Sequence, residues 1–501
     1  MKIFSISLSP HDQNTYDGVF HNQIERYSRR KHNIPWHFNA YPHQSELIRM
    51  NQDDGQYMVE FYNKYYKPED HEIFAYTITR GGLNLLPDDH SIDLESLRFK
   101  PKNLWDYAQN DNVYYIDHHQ SHATYALFDS GFKESDILAI DGRGFNFNCV
   151  FFDKEGNITD LSDKMSIGTL WNFFAKQVGF GHLGAGKLMG LAAYGEYQEK
   201  VHSIIDYYSN NNFDFPKNVR QLLLEHSKED LAHTLQVATQ DLINEHVIPL
   251  KSCDNICVTG GVAYNGYMNE EFTKTYNGVH VPPAPGDEGQ SIGTYMHADY
   301  TLNKNIHKPC VYAGEEYDYT EGEPLDIKAV AQAIADGKIV GWFQGKSESG
   351  NRALGNRSIL ADPRDPGIKD KINSTIKQRE DFRPFAPSVL EEHYQDYFDT
   401  NQPSPNMSRI MPVISDKIPG VTHVDGTARI QTVSRKDNEI YYDLINEFYK
   451  ITGIPMVVNT SFNCKEPIVE SPEDAINTFK KTEIDILVIG EYMITKSEHV
   501  R

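Results

Sequence analysis

Residues 137–144 read Ile-Leu-Ala-Ile-Asp-Gly-Arg-Gly, a short apolar run that turns at once into an acidic, glycine-containing segment. Similar runs occupy Ile256–Thr259, Ile339–Phe343 and Ile484–Ile489, and a Gly or Asp follows each of them within two residues. A short apolar run that ends in turn-forming residues is typical of a buried strand. Open α/β sheets bind their ligands at the loops after the carboxyl ends of the strands. The pattern therefore predicts an α/β protein with ligand loops after these strands.

Longer segments with helical periodicity lie between the strands, for example Leu231–Leu250 and Ala329–Asp336. A chain of 501 residues is expected to hold about two to four domains, at roughly 150 residues for each domain. The segment Lys308–Pro324 contains a cluster of acidic residues and has the composition of a linker. We therefore predict two α/β domains, over residues 1–315 and 325–501.

The composition excludes several classes of protein. Hydrophobic residues make up 39% of the chain, which is enough to build cores and excludes a disordered chain. The net charge of −23 makes a nucleic-acid polymer an unlikely partner, because such binding rests on neutralising phosphates. The sequence has no apolar run of about 18 residues, so we expect no membrane partner. Five scattered cysteines favour a reducing compartment, and Met1–Leu8 lacks the apolar core of a signal peptide; both predict a cytoplasmic protein.

A candidate metal site comes from two histidines and two aspartates. His118 and His122 are four residues apart, which on a helix stacks both imidazoles on one face. Asp141 follows a predicted strand and Asp287 lies in a glycine-flanked loop, so each could add a carboxylate oxygen. Such a mixed set suits a divalent transition metal with positions left open for phosphate oxygens. The alternatives are surface or packing roles for the histidines, and turn or helix-cap roles for the aspartates.

Two glycine-rich segments of the N-terminal half are candidate phosphate loops. Gly260 and Gly261 end a predicted strand, where backbone N–H groups could contact a nucleotide. Lys187 lies in Gly184–Gly190, which loosely resembles a phosphate loop but has no Walker motif. The alternative is an ordinary turn at each glycine pair and a solvated lysine at position 187.

The C-terminal half contains a second cationic cluster. Lys377, Arg379 and Arg383 lie within seven residues, beside prolines and aromatic residues, and suggest an anion pocket in an acidic chain. The alternative is a surface network of ion pairs with Glu380 and Asp381.

Two later segments add polar groups to this half. Arg429 could bind a carboxylate or phosphate through both branches of its guanidinium. Ser461 and Asn463 are two residues apart and face the same side of an extended chain.

These segments, in this order, resemble the O-carbamoyltransferases of nodulation-factor and antibiotic biosynthesis, the nodulation-protein/cephem carbamoyltransferase family. The resemblance extends over nearly the whole chain. Its most specific pieces are His118–Ala123, Gly186–Gly195, Gly260–Asn265, Gly341–Arg364, Arg383–Pro387 and Asn459–Asn463.

The resemblance implies a fold and an activity. The N-terminal part is expected to be an actin/hexokinase-type ATPase fold with two βα lobes, as in the tRNA threonylcarbamoyl transferase. The C-terminal part is expected to be a YrdC-like α/β domain. In that family the YrdC-like domain forms carbamoyl adenylate from carbamoyl phosphate and ATP, with Mg²⁺. The N-terminal domain then transfers the carbamoyl group to a hydroxyl of a small acceptor, of the antibiotic, sugar or nucleoside type.

The resemblance also implies roles for individual residues. The metal, expected to be Fe²⁺, is held by His118, His122, Asp141 and Asp287. The N-terminal nucleotide site is lined by Lys187, Gly260, Gly261 and Asn265. The second nucleotide and carbamoyl site contains Lys377, Arg379, Arg429, Ser461 and Asn463, with Arg352, Arg357 and Arg383 as further members. The general base for the acceptor is His11, in Ser9-Pro10-His11-Asp12, although this histidine could instead only orient the acceptor.

Two departures from the family motivate a different hypothesis. Phe145 stands where the family is expected to have an acidic residue, and the segment Gln13–Tyr16 is polar where an apolar hairpin is expected. A nucleotide-binding regulatory protein without turnover is therefore the alternative. Carbamoyl transfer to protein or tRNA fits less well, because of the domain order and the acidic charge. A homodimer is plausible in a family of this type, and the residues do not decide it.

Overall fold

The fold is known from a computed structural model. It describes residues 2–8, 14–23, 73–78, 113–142, 147–181, 184–209, 221, 223–306 and 308–496. His11 and Phe145 lie outside the described residues. No helix of the described part is long and apolar enough to cross a bilayer.

The first sheet is built from five strands in the order β3-β2-β1-β4-β5. β1, β2 and β3 are antiparallel neighbours, whereas β4 pairs parallel to both β1 and β5. The strands are β1 Ile3–Leu8, β2 Asn14–Tyr16, β3 His21–Gln23, β4 Ile73–Ile78 and β5 Val113–Tyr115.

The second sheet repeats the same arrangement, in the order β10-β9-β6-β7-β8. β6, β7 and β8 are antiparallel neighbours, and β9 pairs parallel to both β6 and β10. The strands are β6 Asp136–Ile140, β7 Cys149–Phe152, β8 Ile158–Asp160, β9 Asn255–Thr259 and β10 Gly278–His280. Every residue of β6 is buried, as predicted for its apolar run. Two sheets of one topology confirm the predicted pair of βα lobes.

The third sheet lies in the C-terminal part and has eight strands in the order β11-β20-β19-β12-β13-β18-β14-β17, with β15 and β16 as a separate antiparallel pair. The strands are β11 Glu323–Pro324, β12 Val340–Phe343, β13 Arg357–Ala361, β14 Ala386–Leu390, β15 Ile410–Pro412, β16 Thr427–Arg429, β17 Gln431–Val433, β18 Met456–Ser461, β19 Ile486–Ile489 and β20 Tyr492–Thr495. The predicted strands at Ile339–Phe343 and Ile484–Ile489 are confirmed as β12 and β19. The α/β prediction therefore holds in both halves, and the domain boundaries stay a prediction.

Eleven α-helices of the described residues pack against these sheets. Those before residue 310 are α1 His118–Ser130, α2 Ile167–Gln177, α3 Ala185–Leu191, α4 Glu199–Ser209, α5 Lys228–His246, α6 Gly266–Glu271 and α7 Gln290–Asn303. The others are α8 Ile327–Ala335, α9 Ile368–Ile372, α10 Glu439–Thr452 and α11 Pro472–Lys481. α1 and α7 approach closely because Gly293 has no side chain; a Cβ there would lie 2.0 Å from the carbonyl oxygen of Ser121.

The end of β9 meets the end of β6 at Gly260. Gly260 has a φ of +90° and a ψ of 167°, a combination that is essentially restricted to glycine. A Cβ at this position would lie 2.1 Å from the carbonyl oxygen of Ile140. The glycine is therefore required both by its own backbone and by the neighbouring strand.

We expect Gly260→Ala to destabilise the protein by at least about 3 kcal/mol, since it combines backbone strain with a clash against backbone. Gly337→Ala is the matched control, because Gly337 has a φ of +83° and no heavy atom within 4 Å of its Cβ position. Strain alone should cost the control about 1–2 kcal/mol. Unfolding midpoints in urea measure both variants, and equal losses would contradict the role assigned to the Ile140 contact.

Candidate functional site

The two histidines of the predicted metal site lie at the start of α1. Asp117 caps this helix, and its carboxylate accepts a hydrogen bond of 2.9 Å from the backbone N–H of His119. The helix begins at His118, so His122 follows one turn later on the same face. Their rings meet edge to face with centroids 4.7 Å apart. The predicted spacing on a helix is thus confirmed.

The two aspartates face these rings from other elements. Asp141 directly follows β6, and Asp287 begins a 3₁₀ turn that leads into α7. Asp141 Oδ2 lies 3.0 Å from His118 Nε2 and 3.3 Å from His122 Nε2. Asp287 Oδ1 lies 3.6 Å from each of the same two nitrogens. One ligand atom of each residue lies within 4.8 Å of all the others, so the structure brings the four predicted ligands together.

Burial and charge hold this group in a form that suits a cation. Burial raises the pKa of the Asp141 carboxyl, but hydrogen bonds from His118 and His122 hold it well below its usual range. Burial lowers the pKa of His122, but hydrogen bonds with Asp141 and Asp287 outweigh it and raise the pKa to about 9. A metal bound between two carboxylates and two imidazoles would take the place of those protons. The donor set therefore fits a divalent transition metal.

The two rings are oriented by the hydrogen bonds of their Nε2 atoms with Asp141 and by helix packing. Neither Nδ1 atom has a hydrogen-bond partner among the described residues. The start of α1 is instead fixed through its backbone, since Gln290 Nε2 donates to the carbonyl oxygen of His118 over 3.1 Å. Gln290 is also the first residue of α7, so the two packed helices set the position of the imidazoles.

The residues predicted for the N-terminal nucleotide site fall into different surroundings. Gly261 faces the metal group, because a Cβ there would lie 3.0 Å from Asp141 Oδ1. The amide of Asn265 caps α6 and donates to Gln236 Oε1 over 3.0 Å, which is a structural role. Lys187 lies on α3, so a helix stands where the sequence suggested a phosphate loop, and its Nζ donates to Glu380 Oε1 over 2.7 Å. Their role in nucleotide binding stays a prediction.

Four arginines of the C-terminal half converge on one place. The pKa of Arg429 is lowered well below its usual range by burial and by the charges of Arg352, Arg379 and Arg383. Burial and the charge of Arg383 likewise lower the pKa of Arg379 to about 9. Among the described residues, Arg352, Arg379 and Arg429 form no salt bridge with a carboxylate. We call these four residues the arginine cluster. Arg383 pairs with Glu380 over 3.6 Å, whereas the other three form no salt bridge, so the cluster keeps a net positive charge that would suit an anion.

Lys377 lies beside two of the predicted polar residues. Its ammonium is buried and donates to the carbonyl oxygen of Ser461, to Ser461 Oγ at 3.1 Å and to Asn463 Oδ1 at 2.6 Å. The chain then turns sharply at Gln378, whose φ is +46°. Arg379 follows this turn, and its Nε donates to Asn373 Oδ1 over 2.7 Å. The structure therefore groups Lys377, Ser461 and Asn463, whereas Arg379 bonds to a different residue, Asn373.

Two residues that the sequence did not single out connect the arginine cluster to the metal group. The guanidinium carbon of Arg352 lies 5.1 Å from the centre of the Tyr264 ring. The Tyr264 hydroxyl donates to Glu288 Oε1, and Glu288 is the residue after Asp287. Glu288 is buried, at 3% exposure. The acidic pair at 287 and 288 was the available signal, but the contact with Tyr264 depends on tertiary structure.

Arg357 has a different role from the four clustered arginines. It is fully buried, and its guanidinium donates to the backbone carbonyl oxygens of Gln344, Gly345 and Asn356. It also lies 3.6 Å from the centre of the Phe343 ring. These contacts hold the loop after β12 in place.

Comparisons with known proteins point to one family. A family model described as the carbamoyltransferase N-terminus matches residues 46–296, and one described as the carbamoyltransferase C-terminus matches residues 331–496. Nodulation protein NolNO of Sinorhizobium fredii is 34% identical, over 77% of this chain and 64% of that protein. Nodulation protein NolO of Bradyrhizobium diazoefficiens is 33% identical, over 76% of this chain and 79% of the relative. An uncharacterised protein of Methanocaldococcus jannaschii is 30% identical, over 97% of this chain and 90% of that protein.

Solved structures show weaker similarity. The activator of 2-hydroxyisocaproyl-CoA dehydratase from Clostridium difficile with bound ADPNP is 14% identical, with a TM-score of 0.36 over 61% of this chain and 98% of that one. Full-length HypF in the phosphate- and nucleotide-bound form is 17% identical, with a TM-score of 0.24 over 40% of this chain and 27% of that one. Scores in this range carry no argument about function.

We expect His122→Asn to lower the affinity for Fe²⁺ or Co²⁺ at least about 100-fold, because even the loss of residues that only support a ligand costs 10- to 100-fold. His119→Asn is the matched control, since His119 is buried in the same turn but packs against Phe147. Its affinity should stay within a few-fold of the wild type. Competition with a chelator measures both, and equal affinities in the two variants would contradict the ligand assignment.

We expect Arg429→Gln to remove the stabilisation that pyrophosphate gives the protein. The stability of the free protein should not fall, because the substitution relieves repulsion within the arginine cluster. A ligand at 100 times its dissociation constant stabilises a protein by about 2.7 kcal/mol. Arg435→Gln is the control, since Arg435 is exposed and paired with Glu439 and Asp443. Thermal unfolding with and without pyrophosphate measures this stabilisation in the wild type and in both variants. A wild type that pyrophosphate does not stabilise would contradict the anion site.

Proposed function

Because the chain belongs to the carbamoyltransferase family, we propose that it forms carbamoyl adenylate from carbamoyl phosphate and ATP and then carbamoylates a hydroxyl of a small acceptor. The observation that carries the proposal is the arginine cluster, which has a net positive charge and is connected through Tyr264 and Glu288 to the group of metal-ligand residues. A regulatory protein that only binds a nucleotide would need the cations of the arginine cluster but not the group of metal-ligand residues.

The first step needs a pocket that tolerates several phosphates at once. Carbamoyl phosphate and ATP carry negative charge that must be brought together before a new bond can form. The arginine cluster supplies positive charge that is already oriented, so little reorganisation is needed during the reaction. Overall, carbamoyl phosphate, ATP and water would yield carbamoyl adenylate, pyrophosphate and phosphate. Adenylation is useful because AMP is a good leaving group for the otherwise sluggish carbamoyl donor.

Lys377 is the candidate for the carbamoyl end of this site. Its buried ammonium is held by Ser461 and Asn463, so its position is fixed before a ligand enters. The hydroxyl and amide groups beside it can exchange hydrogen bonds with a carbamoyl group, which has both donors and an acceptor. Arg379, on the other side of the turn at Gln378, would contact phosphate.

The second step is assigned to the metal group. When bound, a divalent metal would supply Lewis-acid stabilisation of the oxygens of the adenylate. His118, His122, Asp141 and Asp287 would hold it.

The acceptor hydroxyl must lose its proton during transfer, and we propose His11 as the base or orienting residue. His11 is outside the described residues. The nearest described residue after it, Asn14, donates from Nδ2 to the carbonyl oxygen of Asp287 over 2.8 Å, and its Oδ1 accepts from the backbone N–H of Ser291 over 2.9 Å. These contacts hold Asn14 beside the metal loop. ATP with Mg²⁺, Fe²⁺ as the metal, a cytoplasmic location and a homodimer remain parts of the proposal.

The proposal is tested by pyrophosphate release and by detection of carbamoyl adenylate from ATP, Mg²⁺ and carbamoyl phosphate, with no acceptor present. We expect wild type and His118→Ala to form the adenylate, because the metal group serves the later step. The rate of adenylate formation by Lys377→Ala should fall at least about 100-fold, as expected for the loss of a charged group that acts in a buried site. Circular dichroism of each variant controls for folding.

The same measurement separates the alternatives. If Lys377→Ala and Ser461→Ala both formed carbamoyl adenylate as fast as the wild type, the assigned site would be contradicted. ATP binding without adenylate in any variant would favour the regulatory protein.

A further inference from the structure

Glu380 is a carboxylate among cations. Its Oε1 accepts a hydrogen bond of 2.7 Å from Lys187 Nζ, and its Oε2 lies 3.6 Å from Arg383 Nη1. Its charge also partly offsets the lowering of the Arg379 pKa by burial and Arg383. Glu380 therefore neutralises part of the positive charge that would otherwise face a phosphate.

The contacts of Glu380 are accessible to solvent. The side chains of Lys187, Glu380 and Arg383 are 38%, 33% and 31% exposed. A half-exposed ion pair is weak, because water and salt screen it and the side chains lose freedom. Glu380 can thus leave Lys187 without a large cost, unlike the buried Glu288.

The partners of Glu380 are also candidate ligands of a nucleotide. Lys187 lies on α3 in the N-terminal half and Arg383 belongs to the arginine cluster, so the contact joins the two halves of the chain. Ammonium and guanidinium groups bind carboxylate and phosphate oxygens with the same geometry. A phosphate that entered between Lys187 and Arg383 would compete directly with the Glu380 carboxylate.

We propose that Glu380 is an internal competitor, which occupies Lys187 and Arg383 in the free protein and is displaced by a nucleoside polyphosphate. This inference rests on the proposed function, in which those cations contact phosphate. Displacement also breaks the ion pair between α3 and the C-terminal segment. Glu380 therefore sets the affinity for the nucleotide and ties its entry to the contact between the two halves.

ADP binding, measured by titration calorimetry without any other substrate, tests the proposal. We expect Glu380→Gln to bind ADP about 3- to 10-fold more tightly than the wild type, because the competing charge is lost. Asp381→Asn is the matched control: it removes the same charge one residue later, from an exposed side chain that forms no ion pair among the described residues. Its affinity should change less than twofold.

A double variant locates the effect. In a Lys187→Gln background the gain in ADP affinity from Glu380→Gln should fall to less than half. One of the two cations for which Glu380 and phosphate compete is then absent. Unchanged or weaker ADP binding by Glu380→Gln would overturn the proposal, as would an equal gain in Asp381→Asn or no ADP binding by any variant. The competitor and the proposed reaction can fail separately, because carbamoyl adenylate formation is measured in its own assay.

Discussion

The loop that carries Asp287 is held from several sides, and the geometry of the whole site depends on it. The ring of His21, a residue of the first sheet, contacts both this loop and the C-terminal half. Its Nε2 donates to the carbonyl oxygen of Glu288 over 2.7 Å, and its Nδ1 accepts from Ser349 Oγ over 3.0 Å. Gly350, with a φ of +87°, lets the C-terminal chain pass so close that a Cβ would lie 2.4 Å from the carbonyl oxygen of Pro283. The loop thus joins the first sheet, the metal group and the anion site into one unit.

Charged side chains are arranged in opposite ways in the metal group and in the arginine cluster. In the metal group the Nε2 atoms of both imidazoles pair with the carboxylates, which offsets part of the cost of burying these groups. In the arginine cluster the charges repel, and the fold must hold them together against that repulsion. Repulsion between like charges lowers stability, and natural proteins commonly accept such a cost at functional sites.

Local patterns of the sequence predicted the features that depend on neighbours in the chain. The apolar run before Asp141 gave a buried strand, and the spacing of His118 and His122 gave one helical face. Asp287 is far away in the chain; its glycine-flanked loop makes it a candidate ligand, and the resemblance groups it with the two histidines. Other contacts arise only from tertiary structure, such as the pairing of Lys187 with Glu380. No periodicity or motif contains the information that these side chains meet, because it depends on how the two halves approach.

The repeated strand order of the first two sheets has a consequence for the origin of the site. No repeat is visible in the sequence at a fixed period, yet the order and directions of the strands are the same in both sheets. Duplication of a shorter ancestral gene accounts for this most simply, since topology outlasts sequence similarity. The two lobes now contribute differently: the second carries Asp141 at the end of its central strand, and the first braces the loop of Asp287 through Asn14. The candidate site would thus combine parts of two copies that diverged from one ancestral lobe.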